Sequence, residues 1–239
     1  METLKSFDVV IPVYNGIATL ERAVRSVVPS LDYVNKIILI DDGSDDQTAD
    51  LIESLRREFD IILVITNERN EGVASARNRG LDQCAAEYVA FLDCDDCWSP
   101  KYLMIMSHYI NQLGNPGVVA GGYLSPVPFD HQWNVDSFIQ PKITRLTSIS
   151  LLIRNQLSTP CVVLSRDVYS EYRFDKRLKT AEDYLLWLQI SVNHEIYKID
   201  MTLAIGYKRV FGVSGLSKAI YQGGKNEIRA YPNPSTIFL

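Results

Sequence analysis

The segment IILIDDGSDD, residues 37–46, passes without a break from four aliphatic side chains into a cluster of acids. A short aliphatic run of this kind predicts a buried β-strand. Beyond the acids, Leu51, Ile52 and Leu55 recur at the spacing of one helical face. The segment therefore predicts a strand, a turn that carries the acids and a helix, which is the repeating unit of an α/β fold.

The same alternation continues on both sides of this segment. Further strands are predicted at residues 9–13, 61–65 and 88–92. Helices are predicted from Ile17, over residues 72–81, and after an N-cap at Ser99 with Pro100 in the first helical position. This order predicts a mostly parallel central sheet with helices on both faces, in which ligands bind beyond the carboxyl ends of the strands.

The pattern becomes irregular in the second half of the chain. Pro126, Pro128 and Pro141 interrupt the segment that follows Gly121, and we expect a long loop there. Regular elements return as a strand at residues 162–164, a helix at 181–192, and two short strands at 196–199 and 203–207. No repeat or linker divides the chain, so one domain is the simplest interpretation.

Composition and charge exclude several classes of protein. The chain has 239 residues with 24 basic and 29 acidic side chains, a net charge of -5, which argues against nucleic acid as a partner. No secretory signal is visible at the N-terminus, and the aliphatic runs fall short of the roughly 20 residues that span a bilayer. These features predict a cytoplasmic chain with reduced cysteines, and leave peripheral contact with a membrane open.

Two acidic clusters lie at the predicted carboxyl ends of strands, at residues 41–46 and 93–96. The strand-end rule brings both to one crevice, where like charges repel unless a cation or hydrogen-bond donors compensate. Carboxylate oxygens suit Mg²⁺ or Mn²⁺, and Mg²⁺ is commonly shared with substrate phosphates. The pair of clusters therefore predicts a divalent metal and a nucleotide substrate. Helix capping accounts for Asp45 and Asp46, and a solvated turn is the alternative for the second cluster.

Other phosphate and metal motifs are missing from the sequence. Cys94 and Cys97 have a Cys-x-x-Cys spacing, but Cys84 and Cys161 are isolated and no histidine stands at ligand spacing, which disfavours zinc. Neither a dinucleotide-binding glycine motif nor a P-loop is present. A bound diphosphate would therefore depend on the metal and on donors from loops.

Taken together, the motifs resemble those of the family 2 glycosyltransferases. The matching segments are VIPVYN at 10–15, IDDGS at 40–44, NEGVASARNRGL at 70–81, FLDCDD at 91–96 and AEDYLLW at 181–187. The resemblance implies the GT-A fold, an α/β fold with a Rossmann-like, mostly parallel sheet flanked by helices and an irregular acceptor-side half. It implies one domain over residues 1–239, with a nucleotide-sugar half at 1–121, an acceptor-side half at 122–217 and a tail at 218–239.

The resemblance also implies roles for residues that bind the nucleotide. Tyr14 would stack on a uracil-like base, and Pro12 would stiffen the turn that places it. Asp41 or Asp42 would accept the N–H hydrogen bond of the base, and the motif does not decide between them. Arg77 would donate to the base or the phosphates.

A second set of implied roles concerns the metal and the reaction. Asp93 would face the ribose, and Asp95 would hold the Mn²⁺ or Mg²⁺ that bridges the phosphates. Asp183, with Glu182 beside it, would take the proton from the acceptor hydroxyl. A single displacement of this kind inverts the anomeric configuration.

One late segment departs from the family pattern. Residues 207–217 read YKRVFGVSGLS and lack the histidine that family members often carry there. Lys208, Arg209 or Lys218 would be the substitute counter-charges for the diphosphate.

The function implied by the resemblance is hexosyl or N-acetylhexosaminyl transfer from a nucleoside-diphosphate sugar, with UDP as the expected nucleotide. The expected acceptor is a glycan or a lipid-linked glycan in the assembly of a surface polysaccharide, on the inner face of the membrane. Two other readings of the acidic strand ends stay open, a nucleotidyltransferase and a non-enzymatic phospho-acceptor or nucleotide-binding domain. The first usually has a basic glycine-rich loop near the N-terminus, and residues 12–18 contain one glycine and no lysine or arginine.

Overall fold

One nine-stranded sheet runs through the residues that the structure describes. The structure, a computed structural model, describes residues 5–129, 131–133 and 140–207. The counter-charge candidates Lys208, Arg209 and Lys218 and the proposed tail lie outside these residues.

The strands and helices alternate as predicted up to residue 91, and a short strand that was not predicted follows at residues 96–98. The strands are β1 Phe7–Val13, β2 Val34–Asp41, β3 Ile62–Thr66, β4 Tyr88–Phe91, β5 Asp96–Trp98, β6 Val118–Leu124, β7 Ile143–Leu146, β8 Val162–Ser165 and β9 Ile196–Gly206. The helices are α1 Leu20–Val27, α2 Thr48–Glu58, α3 Val73–Leu81, α4 Tyr102–Gln112, α5 Ser148–Ile153, α6 Arg166–Glu171 and α7 Glu182–Asn193. Two short 3-10 turns cover Val28–Tyr33 and Thr159–Cys161.

The sheet is parallel in its first half and mixed in its second. The strand order is β3-β2-β1-β4-β8-β6-β9-β5, with β7 also paired to β9. The pairs among β1, β2, β3 and β4 are all parallel, as predicted for strands joined by helical crossovers. β8 then pairs antiparallel with both β4 and β6, and β5 and β7 pair antiparallel with β9. The expected parallel arrangement therefore holds for the half that carries the acidic strand ends.

Alternate residues of the central strands enter two separate cores. Phe7, Val9 and Ile11 pack with α1 and α4 on one face, whereas Val10 packs with α3 and α7 on the other. β1 is consequently buried along its whole length, which explains why its sequence FDVVIPV is apolar at nearly every position. The site-bearing strand ends thus rest on a sheet that is covered on both faces. Within the described part of the chain, no helix has both the length and the hydropathy needed to cross a bilayer.

The predicted start of α4 is wrong. Lys101 is the N-cap and the helix begins at Tyr102, after a turn in which the Tyr102 N–H donates to the Ser99 carbonyl at 2.9 Å. The Ser99 N–H donates to the Leu203 carbonyl at 2.8 Å. Ser99 is therefore held by strand pairing between β5 and β9, while its hydroxyl still accepts from the Lys101 N–H at 3.3 Å, and the regular helix begins at Tyr102 instead of Pro100.

The expected loop after Gly121 contains regular structure. It includes the end of β6, all of β7 and α5, and the two short strands predicted near the C-terminus are the single strand β9. β6 shifts its register on β9 around Gly122, where a side chain would lie 2.9 Å from the Met201 carbonyl oxygen. A long strand that changes partners at a bulge has no simple hydrophobic period, so the sequence shows two fragments instead of one strand.

Candidate nucleotide-sugar site

A cavity of about 470 Å³ opens where β1, β2 and β4 end. Its walls are formed by Pro12, Val13, Tyr14, Asp42, Asn70, Gly72, Val73, Ala76, Arg77, Asp93, Cys94, Asp95 and Glu182. Six of the eight predicted site residues belong to this lining, namely Pro12, Tyr14, Asp42, Arg77, Asp93 and Asp95. Asp41 and Asp183 lie outside it.

The loop after β1 presents Tyr14 with its ring half exposed beside the cavity. Asn15 adopts a left-handed backbone conformation with φ 51°, and its N–H donates to the Ser44 hydroxyl at 2.9 Å. The Asp45 N–H donates in return to Asn15 Oδ1 at 3.0 Å. These reciprocal bonds hold the loop after β1 against the loop after β2, so the aromatic face of Tyr14 is already in place for a planar ligand.

Pro12 is tolerated inside a buried sheet because of where β4 ends. The Val10 carbonyl accepts from the Leu92 N–H at 3.1 Å, so Val10 faces β4. Pro12 is two residues further along and faces the same side, but the pairing of β1 with β4 stops at Val10. The N–H that proline lacks would therefore have no strand partner.

The structure separates the roles of the two neighbouring acids at the end of β2. Asp41 Oδ1 accepts from the Ser44 N–H at 3.0 Å and closes the turn. The Asp42 carboxylate accepts from Asn67 Nδ2 at 2.7 Å and from the Glu71 and Gly72 N–H groups at 3.0 and 2.8 Å. Asp42 also lines the cavity, whereas Asp41 does not.

Gly43 allows the close contact that these bonds require. Its φ is +71°, and a side chain there would lie 2.5 Å from the backbone of Arg69. The loop after β3 can therefore approach the loop after β2 only if residue 43 is glycine.

A buried ion network crosses the floor of the cavity. Arg77 on α3 donates through Nη2 to Asp93 Oδ1 at 2.8 Å and through Nη1 to Glu182 Oε1 at 2.9 Å. Its guanidinium also lies 5.3 Å from the ring centroid of Phe174. Burial alone would lower the pKa of Arg77, but the charges of Asp93, Glu182 and Asp183 outweigh it and raise the pKa. The Nε atom of Arg77 is buried and has no hydrogen-bond partner among the described residues.

Glu182 belongs to the cavity wall, a role that the sequence motifs did not assign. It is the first residue of α7 and is buried against Arg77. Burial raises the pKa of Glu182, which the attraction of Arg77 opposes. The sequence signal for Glu182 was its place next to Asp183 in an acidic pair, but only Asp183 was assigned a role.

The raised pKa of Glu182 predicts a pH effect on stability. The folded chain holds the Glu182 proton to a higher pH than the unfolded chain, whose pKa is near the ordinary 4.5. The stability that this group contributes is complete below about pH 4.5 and is lost as the pH rises through the folded pKa. Glu182→Gln should therefore gain stability relative to wild type as the pH rises, measured by urea unfolding between pH 4.5 and 8. A constant difference between the two proteins would contradict this expectation.

The turn between β4 and β5 places Asp95 in the wall. The Asp96 N–H closes the turn on the Asp93 carbonyl at 3.0 Å, and Arg22 Nη2 donates to the Asp95 carbonyl at 3.3 Å. All four cysteines lie in the described part of the chain and none forms a disulfide. Burial raises the pKa of the Cys97 thiol, which disfavours the thiolate that zinc needs.

The donor set fits Mg²⁺ or Mn²⁺ held jointly with a substrate. Asp93 and Asp95 supply hard oxygen atoms to the same cavity. Over the described ranges, no three His, Cys, Asp or Glu side chains converge as a complete metal cage. A cation that takes one or two carboxylates and completes its shell with phosphates and water needs no such cage.

Asp183 lies directly beside the cavity, in the first turn of α7. Its Oδ2 accepts from the Thr159 hydroxyl at 2.8 Å, and its Oδ1 accepts from the Tyr184 N–H at 2.7 Å. Thr159 is buried in the 3-10 turn before β8. The carboxylate is therefore fixed in orientation by two donors, one residue away from the cavity wall at Glu182.

Comparison with known sequences gives the family of the chain. The profile of glycosyl transferase family 2 matches residues 8–187, which contain every motif described above except the late segment. The chain belongs to glycosyltransferase family 2. This confirms the family and the enzyme class expected from the motifs, and it sets aside the nucleotidyltransferase and phospho-acceptor readings.

Relatives share this part of the chain at modest identity. An uncharacterized glycosyltransferase of Rickettsia felis is 29% identical over 208 residues, which cover 82% of this chain and 32% of that protein. The Escherichia coli protein WfgD, named as a UDP-Glc:alpha-D-GlcNAc-diphosphoundecaprenol beta-1,3-glucosyltransferase, is 28% identical over 200 residues, covering 81% of this chain and 72% of that protein. The chain therefore spans only about a third of the length of the Rickettsia relative.

The fold agrees with that of a solved structure. S. aureus TarS 1-349 in complex with UDP-GlcNAc superposes with a TM-score of 0.71 at 22% identity, covering 97% of this chain and 63% of that one. The expected GT-A fold is confirmed.

Proposed function

We propose that this chain transfers a sugar from a UDP-sugar to an acceptor hydroxyl with inversion, in a reaction that depends on Mg²⁺ or Mn²⁺. The observation that carries the proposal is the cavity that unites Tyr14, Asp42, Arg77 and Asp95 at the carboxyl ends of three strands. An aromatic face, an N–H acceptor, a guanidinium and a metal-type carboxylate are the groups that a nucleoside diphosphate requires.

The uracil end of the donor is assigned to the wall formed by Tyr14 and Asp42. Tyr14 stacks on the base, and Pro12 fixes the strand end from which the Tyr14 loop starts. Of the two acids at the end of β2, we assign the contact to the base N–H to Asp42, since only Asp42 lines the cavity. Its carboxylate already accepts three N–H groups and has lone-pair capacity for a fourth.

The sugar-phosphate end is assigned to Arg77, Asp93 and Asp95. Arg77 lines the cavity and supplies a positive charge for the phosphates. Asp93 accepts from the ribose hydroxyls, and the Arg77 ion pair holds its carboxylate in place. Asp95 holds the divalent cation, which when bound neutralises the charge that develops on the departing diphosphate.

Asp183 is proposed as the general base. The Thr159 hydroxyl and the Tyr184 N–H orient the carboxylate. Asp183 takes the proton of the acceptor hydroxyl as its oxygen attacks the anomeric carbon from the face opposite the leaving diphosphate. A displacement in this direction inverts the anomeric centre.

The proposed acceptor is inferred from the names of related proteins. WfgD is named for a diphosphoundecaprenol-linked acceptor. We propose by analogy that this chain elongates a lipid-linked glycan in the assembly of a surface polysaccharide, on the cytoplasmic face of the membrane.

The single sheet from β1 to β9 supports our further proposal that residues 1–239 form one domain.

The experiment that tests the proposal is donor turnover. The chain is incubated with Mn²⁺ and a panel of nucleotide sugars, with and without candidate acceptors, and release of the nucleoside diphosphate is measured. We expect release from a UDP-sugar that stops when EDTA removes the metal. No release from any donor under any of these conditions would overturn the proposal.

Asp95→Ala should abolish metal-dependent binding of the donor. The variant removes the proposed carboxylate ligand, so titration of UDP into the protein should show the same weak affinity with and without Mn²⁺. Asp45→Ala is the matched control, because Asp45 is an exposed acid at the same edge of the sheet and contributes its backbone N–H to the Tyr14 loop. If Asp95→Ala keeps the full stimulation by Mn²⁺, the assignment of the metal to this residue is wrong.

A further inference from the structure

One short helix exposes an unusual number of large apolar side chains. Three of the six residues of α5 are of this kind, with Ile149, Leu152 and Ile153 exposed by 71%, 55% and 82%. Leu151 on the same helix is fully buried and anchors it to the core. The exposed side chains are therefore not part of a poorly packed helix, since the helix has a buried face of its own.

The C-terminal end of α7 extends this surface. The Ser148 hydroxyl donates to the Ser191 carbonyl at 3.0 Å, which ties the start of α5 to α7. Val192, the residue after Ser191, is also exposed, by 56%. We call Ile149, Leu152, Ile153 and Val192 the α5 surface. Several large exposed apolar side chains on one short helix and the helix end bonded to it mark a surface for another partner.

The charge around the α5 surface indicates the kind of partner. The chain carries a net charge of -5, yet residues 142–154, which include α5, contain no acid and three basic residues, Lys142, Arg145 and Arg154. Arg154 is exposed directly after Ile153. Arg145 is already paired with Glu195 at 3.0 Å. We therefore expect Arg154, which follows the apolar residues directly, to contact the anionic surface. Apolar side chains flanked by cations are the composition that anionic lipid bilayers attract.

The α5 surface is connected to the helix that carries the proposed general base. The Tyr184 hydroxyl donates to the Leu151 carbonyl at 2.6 Å, and Tyr184 follows the proposed base Asp183. α5 is thus bonded to the turn of α7 that carries the base. A lipid carrier keeps its acceptor glycan close to the bilayer, so a protein that uses such an acceptor must bring its base to the same place.

We propose that the α5 surface docks the chain on an anionic lipid bilayer, with Ile149, Leu152 and Ile153 entering the interface and Arg154 meeting the headgroups. The proposal rests on the lipid-linked acceptor proposed above. It adds the part of the fold that meets the membrane and the lipid class that it selects.

The test is sedimentation of the full chain with vesicles. The chain should bind vesicles of phosphatidylglycerol and phosphatidylcholine, and bind phosphatidylcholine alone much more weakly. The triple variant Ile149→Ser, Leu152→Ser, Ile153→Ser should bind the anionic vesicles at least about tenfold more weakly, and Arg154→Gln should lose about fivefold, mainly at low salt. Leu63→Ser with Met104→Ser is the matched control, since these side chains are exposed by 37% and 39% elsewhere on the molecule and should not matter.

Three outcomes would overturn the proposal. They are wild-type protein that fails to sediment with anionic vesicles, a triple variant that binds as well as wild type, and wild-type protein whose self-association is abolished by the triple variant, which would make a second copy the partner. Thermal unfolding checks that the triple variant is folded, and Ile153→Ser alone repeats the comparison at the most exposed position. Vesicle binding needs no donor, and UDP release without vesicles should be equal in wild type and triple variant, so failure of this proposal is distinguishable from failure of the proposed function.

Discussion

Replacing Asp183 with asparagine is expected to abolish sugar transfer while leaving donor binding intact. Asparagine keeps the shape of the side chain and can still accept from the Thr159 hydroxyl, as Asp183 does at 2.8 Å. It cannot take the proton of the acceptor hydroxyl. General base catalysis contributes about 10²–10⁴-fold to a reaction rate, so the transfer rate should fall by that factor. Transfer is measured by product formation with a glycan acceptor, and donor binding by titration of UDP with Mn²⁺.

The matched control is Asp167→Asn. Asp167 is an acid in the first turn of α6, the same helical position that Asp183 has in α7, and it does not line the cavity. Its replacement should leave transfer unchanged. If Asp183→Asn keeps near-wild-type transfer, another group is the base. If it instead loses UDP binding in proportion to transfer, Asp183 has a structural role in the cavity wall.

The first half of the fold could be predicted because its signals are local. β1, β2 and β4 are buried on both faces, so their sequences are short apolar runs, and the helices between them show a regular apolar spacing. The acids that follow these strands lie at one edge of the sheet because the strands are parallel. The second half depends on contacts that are distant in sequence. Strand β9 pairs with β6, β7 and β5 in turn, and the Ser99 N–H bonds to the Leu203 carbonyl of β9 just before the helix that starts at Tyr102.

The residues of the candidate site could likewise be predicted only in part. The sequence predicted which residue types stand at the strand ends, but it could not choose between Asp41 and Asp42. That choice depends on the approach of the loop after β3, which Gly43 permits and which turns Asp42 toward the N–H groups of Glu71 and Gly72. The sequence also assigned no contact to Glu182. Its partner Arg77 is 105 residues away in the chain, and no local pattern reports a pairing over that distance.

Arg77→Ala is expected to destabilise the fold and remove donor binding together. Glu182 is almost fully buried, and its ion pair with Arg77 Nη1 at 2.9 Å offsets the desolvation of its carboxylate. Breaking a buried pair by removing one partner costs about 3–5 kcal/mol of unfolding free energy. The loss should be larger near neutral pH than in acid, because the raised pKa of Glu182 favours its neutral form as the pH falls. It is measured by urea unfolding at pH 7.5 and pH 5, with UDP affinity measured in parallel.

Arg79→Ala is the matched control for position and charge. Arg79 lies on the same helix but pairs with Glu71 at the surface, and exposed pairs contribute little to stability. The double variant Arg77→Met with Glu182→Gln then separates the two effects of Arg77. It removes both buried charges, so it should recover most of the lost stability, because apolar replacement of a buried pair is often neutral. Binding of the nucleotide sugar should stay lost, since methionine has no N–H group and no positive charge to offer the phosphates. A double variant that binds UDP normally would show that Arg77 supports the cavity without touching the ligand.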